Sequence, residues 1–169
     1  MKKMKQFKFI YINNKCTITY INSMKIGFDI GGVIVDAKTR ELFTESYRTI
    51  KLCIEKYKPE NVYIISKAKS HWIDITKKML EETNFYKLTN FLEENIYFVN
   101  EYGDKAVLCG KLQLNYFVDD SIKVIKFLLD TNTIGIWFDP CDMTCLHKND
   151  LKKIHIVKTW KSIRKIFLT

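Results

Sequence analysis

The chain has 169 residues, 47% of them hydrophobic and 14% aromatic, enough for one buried core and too apolar for a disordered segment. No apolar run is long enough to cross a bilayer, the lysine-rich N-terminus lacks the apolar stretch of a secretion signal, and five irregularly spaced cysteines fit reduced thiols; the expected location is cytoplasmic. The net charge of +9 belongs to the ends. Residues 1–25 carry six lysines and no acid, and residues 148–169 carry seven basic residues against Asp150. The body between holds 15 basic and 18 acidic residues, a net of −3. Basic ends suit an anionic partner, nucleic acid or a phosphorylated protein, and suit plain solvation equally well.

Residues 7–21, FKFIYINNKCTITYI, place two alternating β-branched and aromatic runs around Asn13-Asn14-Lys15, a hairpin signal. Met24 sits where an ordinary domain start falls. The expected organisation is therefore a hairpin or extension over 1–23 and one domain over 24–169. The next stretch, KIGFDIGGVIVD, organises the rest. A short strand, Lys25 to Phe28, ends at Asp29, and Gly31-Gly32 and a second apolar run follow. This punctuation predicts a buried strand entering a tight loop, with a carboxylate at the strand's carboxyl end.

Thr39 to Tyr57 is predicted helical, because Phe43, Tyr47, Ile50, Ile54 and Tyr57 form one apolar stripe, and Pro59 stops it. Val62 to Ile65 reads as a second strand, ending at Ser66-Lys67. A helix over Ser70–Glu82 follows, with Trp72, Ile75 and Met79 facing inward, then a shorter one over Lys87–Glu94. Ile96 to Val99 is a third strand. Asp104 to Leu112 is a helix begun by an Asp N-cap with Lys105 beside it. Tyr116 to Val118 is a fourth strand, ending in Asp119-Asp120-Ser121. A helix over Ser121–Leu129 leads to a fifth strand, Ile134 to Phe138, closed by Asp139-Pro140. A short strand over Ile154–Val157 and a helix over Thr159–Phe167 end the chain. Strands alternating with helices imply βαβ units, a parallel sheet and one α/β domain.

Asp29, Ser66, Lys105 and Asp119-Asp120 then all fall at strand ends or just after them. A doubly wound sheet opens its strand ends on one edge, which gathers these groups. Carboxylates with a free carbonyl make an oxygen site for a hard cation such as Mg²⁺, and a hydroxyl and an ammonium suit phosphate oxygens. A carboxylate beside a metal-bound phosphate can attack it and form an aspartyl-phosphate.

This order of motifs resembles the haloacid dehalogenase-like (HAD) phosphohydrolase superfamily over residues 25 to about 139. The wording GFDIGGVI, VYIISK, FVNEYGDKAVLC and LNYFVDD is similar to a group within it that shares the double glycine. The resemblance implies a Rossmannoid three-layer α/β sandwich with a parallel sheet of order 3-2-1-4-5. It implies Asp29 as nucleophile and metal ligand and the Gly31 carbonyl as backbone ligand. Ser66 would bond the transferring phosphoryl group, and Lys105 would neutralise charge on phosphate and nucleophile. Asp119 would bind the metal directly, and Asp120 directly or through water. The implied activity is Mg²⁺-dependent phosphomonoester hydrolysis. The stretch between Asp29 and Ser66 has room for little beyond one helix, so no large cap is expected. An open site suits a bulky substrate, such as a phosphorylated protein or a nucleic-acid end, or else a lid lent by another subunit.

One departure matters. The second Asp of the family motif, the general acid/base two positions after the nucleophile, is here Gly31. Its loss typically costs about 10²- to 10⁴-fold in rate, so turnover is expected to be slow and best with good leaving groups. The alternatives are a phosphate- or metal-binding regulatory module without turnover, and a nucleic-acid-binding protein that uses its basic ends. Asp36 lies too far along to replace the missing acid. Lys111 rivals Lys105 but is expected to be a solvated helix lysine, and Lys67 shares the Ser66 edge. Cys141, Cys145 and His147 invite a zinc reading, with Asp139 or Asp142 as a fourth ligand, against idle cysteines. His71 and His155 show no partner pattern. Trp160, Ile163 and Phe167 are expected as core contacts rather than a platform for bases.

Overall fold

The computed structural model describes residues 7–12, 15–20, 24–139 and 154–169. Strands β1 (Phe7–Ile12) and β2 (Lys15–Tyr20) pair antiparallel as a separate two-stranded sheet, as the sequence predicts. The main sheet holds β3 (Ile26–Phe28), β4 (Val62–Lys67), β5 (Ile96–Val99), β6 (Tyr116–Asp119), β7 (Ile134–Phe138) and β8 (His155–Val157). All its pairings are parallel, and the order is β5-β4-β3-β6-β7-β8. This is the expected order extended by a sixth strand.

The strands bury both faces, which is why their sequences are nearly continuous apolar runs. Side chains alternate along each strand. Val62, Ile64, Phe28, Val118 and Ile136 join one cluster, whereas Tyr63, Ile65, Phe117 and Trp137 join the other. The first cluster is completed by helices α1 (Thr44–Tyr57), α3 (Phe85–Thr89) and α6 (Trp160–Leu168); the second by α4 (Tyr102–Leu112) and α5 (Ile122–Leu128). Trp160, Ile163 and Phe167 are buried, as expected of core contacts. Phe28 stacks on Trp160 at 5.7 Å and meets Phe167 edge-on at 5.8 Å. The Trp160 indole also donates to the Val33 carbonyl at 3.0 Å, so the last helix pins the loop that follows Asp29. The Tyr57 hydroxyl donates to the Phe167 carbonyl and ties α1 to α6.

Several boundaries differ from expectation, each for a local reason. The first helix starts at Thr44, not Thr39. The Asp36 carboxylate accepts the backbone N–H groups of Lys38 and Thr39, both at 2.8 Å, and Arg40 takes φ +61°. Val35 bridges back to Leu42. Residues 36–42 are thus held as a turn by a side chain competing with the helix. In α2 (Ser70–Glu82) the buried residue is Leu80; of the inward stripe expected, Met79 packs against the core, while Trp72 and Ile75 are 40% and 43% exposed. The predicted helix over 87–94 is instead α3 plus a 3-10 turn at Glu93–Asn95. Asp104 lies in the first turn of α4 rather than before it, and its carboxylate accepts the Glu101 N–H at 3.0 Å.

Among the described residues no helix is long and apolar enough to cross a membrane.

Candidate active site

Parallel register places the acids. Phe28 stands opposite Val118, and the Asp29 N–H continues the ladder by donating to the Val118 carbonyl at 2.9 Å. The next residue on each strand is an aspartate, so Asp29 and Asp119 emerge side by side at the carboxyl edge. Lys105, from the first turn of α4, reaches both: its Nζ lies 2.9 Å from Asp29 Oδ2 and 2.7 Å from Asp119 Oδ2. Lys105 is 1% exposed, Asp119 0% and Asp29 7%. The rival Lys111 is exposed, so position alone separates the two lysines.

Two further contacts fix the loop after β6. The Ser121 N–H donates to Asp119 Oδ1 at 2.8 Å, and the Trp137 indole donates to the Asp120 carbonyl at 3.0 Å. The Asp120 side chain, exposed on its outer side, packs over the glycine loop. A Cβ at Gly32 would lie 2.1 Å from Asp120 Oδ2, and Gly32 has φ +74°, so the second glycine answers both a left-handed backbone and a close approach. Gly31 is different: a Cβ there meets nothing within 4 Å. The loop closes through Gly32 N–H to Val35 O at 2.8 Å and Val35 N–H to Ile30 O at 3.0 Å. That pattern passes over Gly31, whose carbonyl accepts no hydrogen bond among the described residues.

Carboxylate oxygens of Asp29, Asp119 and Asp120 lie within 4.8 Å of one another. Three carboxylates around one ammonium leave a net charge of −2 when all are ionised. The strain shows in their acidity. Burial, then the charge of Asp29, pushes Asp119 upward despite Lys105. Dehydration by the surrounding protein and the same Asp29 charge push Asp120 up to about 6. Burial works against the Lys105 ammonium, but Asp29 and then Asp119 outweigh it and raise its pKa. Asp29 Oδ1 is buried with no hydrogen-bond partner. An all-oxygen set, three carboxylates against one ammonium, and an orphaned carboxylate oxygen fit a hard divalent cation such as Mg²⁺. Asp29, Asp119, Asp120 and the Gly31 carbonyl are the groups that could hold it.

Ser66, 8% exposed, lies on β4 next to β3 and lines a cleft of about 500 Å³ together with Gly31. Lys67 lines the same cleft, and so do Asp36 and His71, which sequence reasoning had set aside. Asp36 is held below the usual carboxylate range by the Thr39 and Lys38 N–H groups, whose turn it closes. Arg40, Lys69 and Trp72 of this wall carry no sequence signature. Asp139 is buried at the end of β7, one strand beyond Asp119 and not among the three clustered acids; Cys141, Asp142, Cys145 and His147 lie outside the described residues. His155 is exposed on β8.

The fold resembles solved structures. A haloacid dehalogenase-like family hydrolase from Xanthomonas campestris superposes with a TM-score of 0.52 at 14% identity, covering 75% of this chain and 55% of that one. A haloacid dehalogenase-like hydrolase from Burkholderia xenovorans gives 0.51 at 8% identity, covering 75% of this chain and 57% of that one. The matched region is therefore little more than half the length of these proteins. No protein-family model matches the sequence, and comparison with curated proteins finds no relative.

Proposed function

We propose that this chain, which carries the haloacid dehalogenase-like fold, is a Mg²⁺-dependent phosphomonoester hydrolase with Asp29 as its nucleophile. The observation that carries the reading is the shared ammonium: Asp29 and Asp119 both bond Lys105, and Asp29 keeps one oxygen free. Lys105 fixes the Asp29 carboxylate by Oδ2, leaving Oδ1 without a hydrogen-bond partner. The cation, bound by the three aspartates, would offset negative charge on the phosphoryl oxygens.

In the first step an Asp29 oxygen attacks phosphorus as the bond to the leaving oxygen breaks. An aspartyl-phosphate forms, and the leaving alkoxide takes its proton from water. In the second step water attacks the acyl-phosphate phosphorus, the bond to Asp29 breaks, and inorganic phosphate leaves as the carboxylate is restored. Lys105 and the Ser66 hydroxyl hold the phosphoryl oxygens through both steps. With Gly31 in place of an acid, no side chain from that position protonates the leaving group, so aryl phosphates are the preferred generic substrates. The connections from β3 to β4 and from β4 to β5 hold only helices α1 to α3 and turns, which supports a capless, open site for a bulky phosphorylated substrate.

The vacancy at Gly31 also supports a second reading, a phosphate- or metal-binding module without turnover. Hydrolysis of p-nitrophenyl phosphate separates the two. The hydrolase reading expects turnover that requires Mg²⁺ and falls at least 10³-fold in Asp29→Asn. No Mg²⁺-dependent turnover in the unaltered chain leaves the binding module.

A further inference from the structure

We infer that the cleft beside the carboxylate site is a subsite for the nucleotide chain of a single-stranded nucleic acid whose terminal phosphate occupies the Asp29–Lys105 site. The inference rests on the hydrolase reading for where that terminal phosphate sits, and on the cleft itself for the rest.

The charge of the wall exceeds what one phosphate needs. The cleft runs from Gly31 and Ser66 to Arg40, Lys67, Lys69 and Trp72. Among the described residues Arg40, Lys67 and Lys69 form no ion pair with a carboxylate. The acid in this wall, Asp36, already accepts two backbone N–H groups. A phosphomonoester with one phosphate is met by Lys105 and leaves these three cations to water. A substrate with further phosphates along a backbone uses them.

The aromatic groups narrow the class. Trp72, in the cleft wall, is 40% exposed with the Arg40 guanidinium 4.6 Å from its ring; outside that wall, Tyr102, 36% exposed, has Lys67 Nζ at 4.6 Å and Lys123 Nζ at 5.8 Å. Exposed rings interleaved with cations are how proteins bind single strands: bases stack on the rings and phosphates follow the charges. A duplex keeps its bases stacked on each other and away from Trp72. A singly phosphorylated peptide offers no second phosphate.

The test uses full-length Asp29→Asn protein, which cannot form an aspartyl-phosphate, with Mg²⁺ present. Fluorescence anisotropy compares labelled hexathymidylate carrying a 5′- or 3′-terminal phosphate, the same oligonucleotide without it, and a phosphotyrosine peptide. A phosphorylated oligonucleotide should bind about tenfold or more tightly than the other two. Adding Trp72→Ala should weaken it roughly tenfold. Adding Arg40→Ala or Lys69→Ala should also make the log–log salt slope shallower by about 0.7. Melting curves establish that each variant is folded. Equal binding of the peptide, indifference to the terminal phosphate, or unchanged affinity in all three variants overturns the subsite. Mg²⁺-dependent aryl phosphate hydrolysis alongside any of these results leaves the hydrolase reading standing alone. Oligonucleotide binding with the expected pattern but no turnover in the unaltered chain removes the hydrolase reading and keeps the subsite.

Discussion

Asp29 and Asp119, neighbours across β3 and β6, bond the same buried ammonium, Lys105 Nζ, at 2.9 and 2.7 Å. Two adjacent carboxylates repel, and Lys105 offsets part of that repulsion in a place so poor in water. The pair and its lysine are therefore one unit, and its charge balance governs stability as well as chemistry.

Removing the cation should be costly. Lys105→Met leaves two buried carboxylates facing each other, and breaking a buried pair in this way costs about 3–5 kcal/mol. Urea unfolding without metal should show a loss of that size, and added Mg²⁺ should recover part of it. Lys111→Ala, at an exposed site of the same helix, should stay within about 0.5 kcal/mol. Equal effects of the two substitutions would contradict the geometry.

Metal-free stability should fall as pH rises. The folded-state pKa of Asp120 is raised from 3.8 to about 6, and that of Asp119 is raised as well. Between the unfolded and folded values the folded chain holds more protons, so the stability these acids contribute is full below about pH 4 and is lost as pH rises through 6 and beyond. A divalent cation binds the ionised acids, so its stabilisation should grow over the same range. Thermal melts from pH 4.5 to 8 with EDTA or Mg²⁺ read the difference directly. A gap between the two curves that does not widen with pH goes against this assignment.

The two glycines should respond oppositely. Gly31→Asp enters open space, should change stability by no more than about 1 kcal/mol, and should raise turnover of alkyl phosphates about 10²-fold or more by supplying the leaving-group proton. Gly32→Ala meets Asp120 and a left-handed backbone. It should cost at least about 1 kcal/mol and weaken Mg²⁺ binding. Comparable losses in both would mean that Gly31 is a structural requirement.

Much of this was legible in the sequence because it depends on register and punctuation. The apolar runs ending at Phe28 and Val118 set two strands whose next residues are acids, and the expected strand order brings them together. Lys105 could be chosen over Lys111 because a helix start faces the sheet edge. The failures came where side chains redirect the backbone or two helical stripes compete. The stripe through Phe43 and Tyr47 runs on into the helix, so nothing in the apolar pattern shows Asp36 capping a turn. In α2 the positions of Trp72 and Ile75 fit an inward stripe as well as Leu80 does, and tertiary packing chose Leu80. The exposed Trp72 then joined Arg40 from a distant loop, a pairing that no local pattern announces.

The most direct measurement is a crystal structure of the chain with Mg²⁺ and fluoroberyllate, which mimics a phosphoryl group on a carboxylate. The account predicts beryllium density bonded to an Asp29 oxygen, with one metal ion touching both Asp29 and Asp119. An ion bound elsewhere, or Asp29 and Asp119 turned apart with nothing between them, would contradict it.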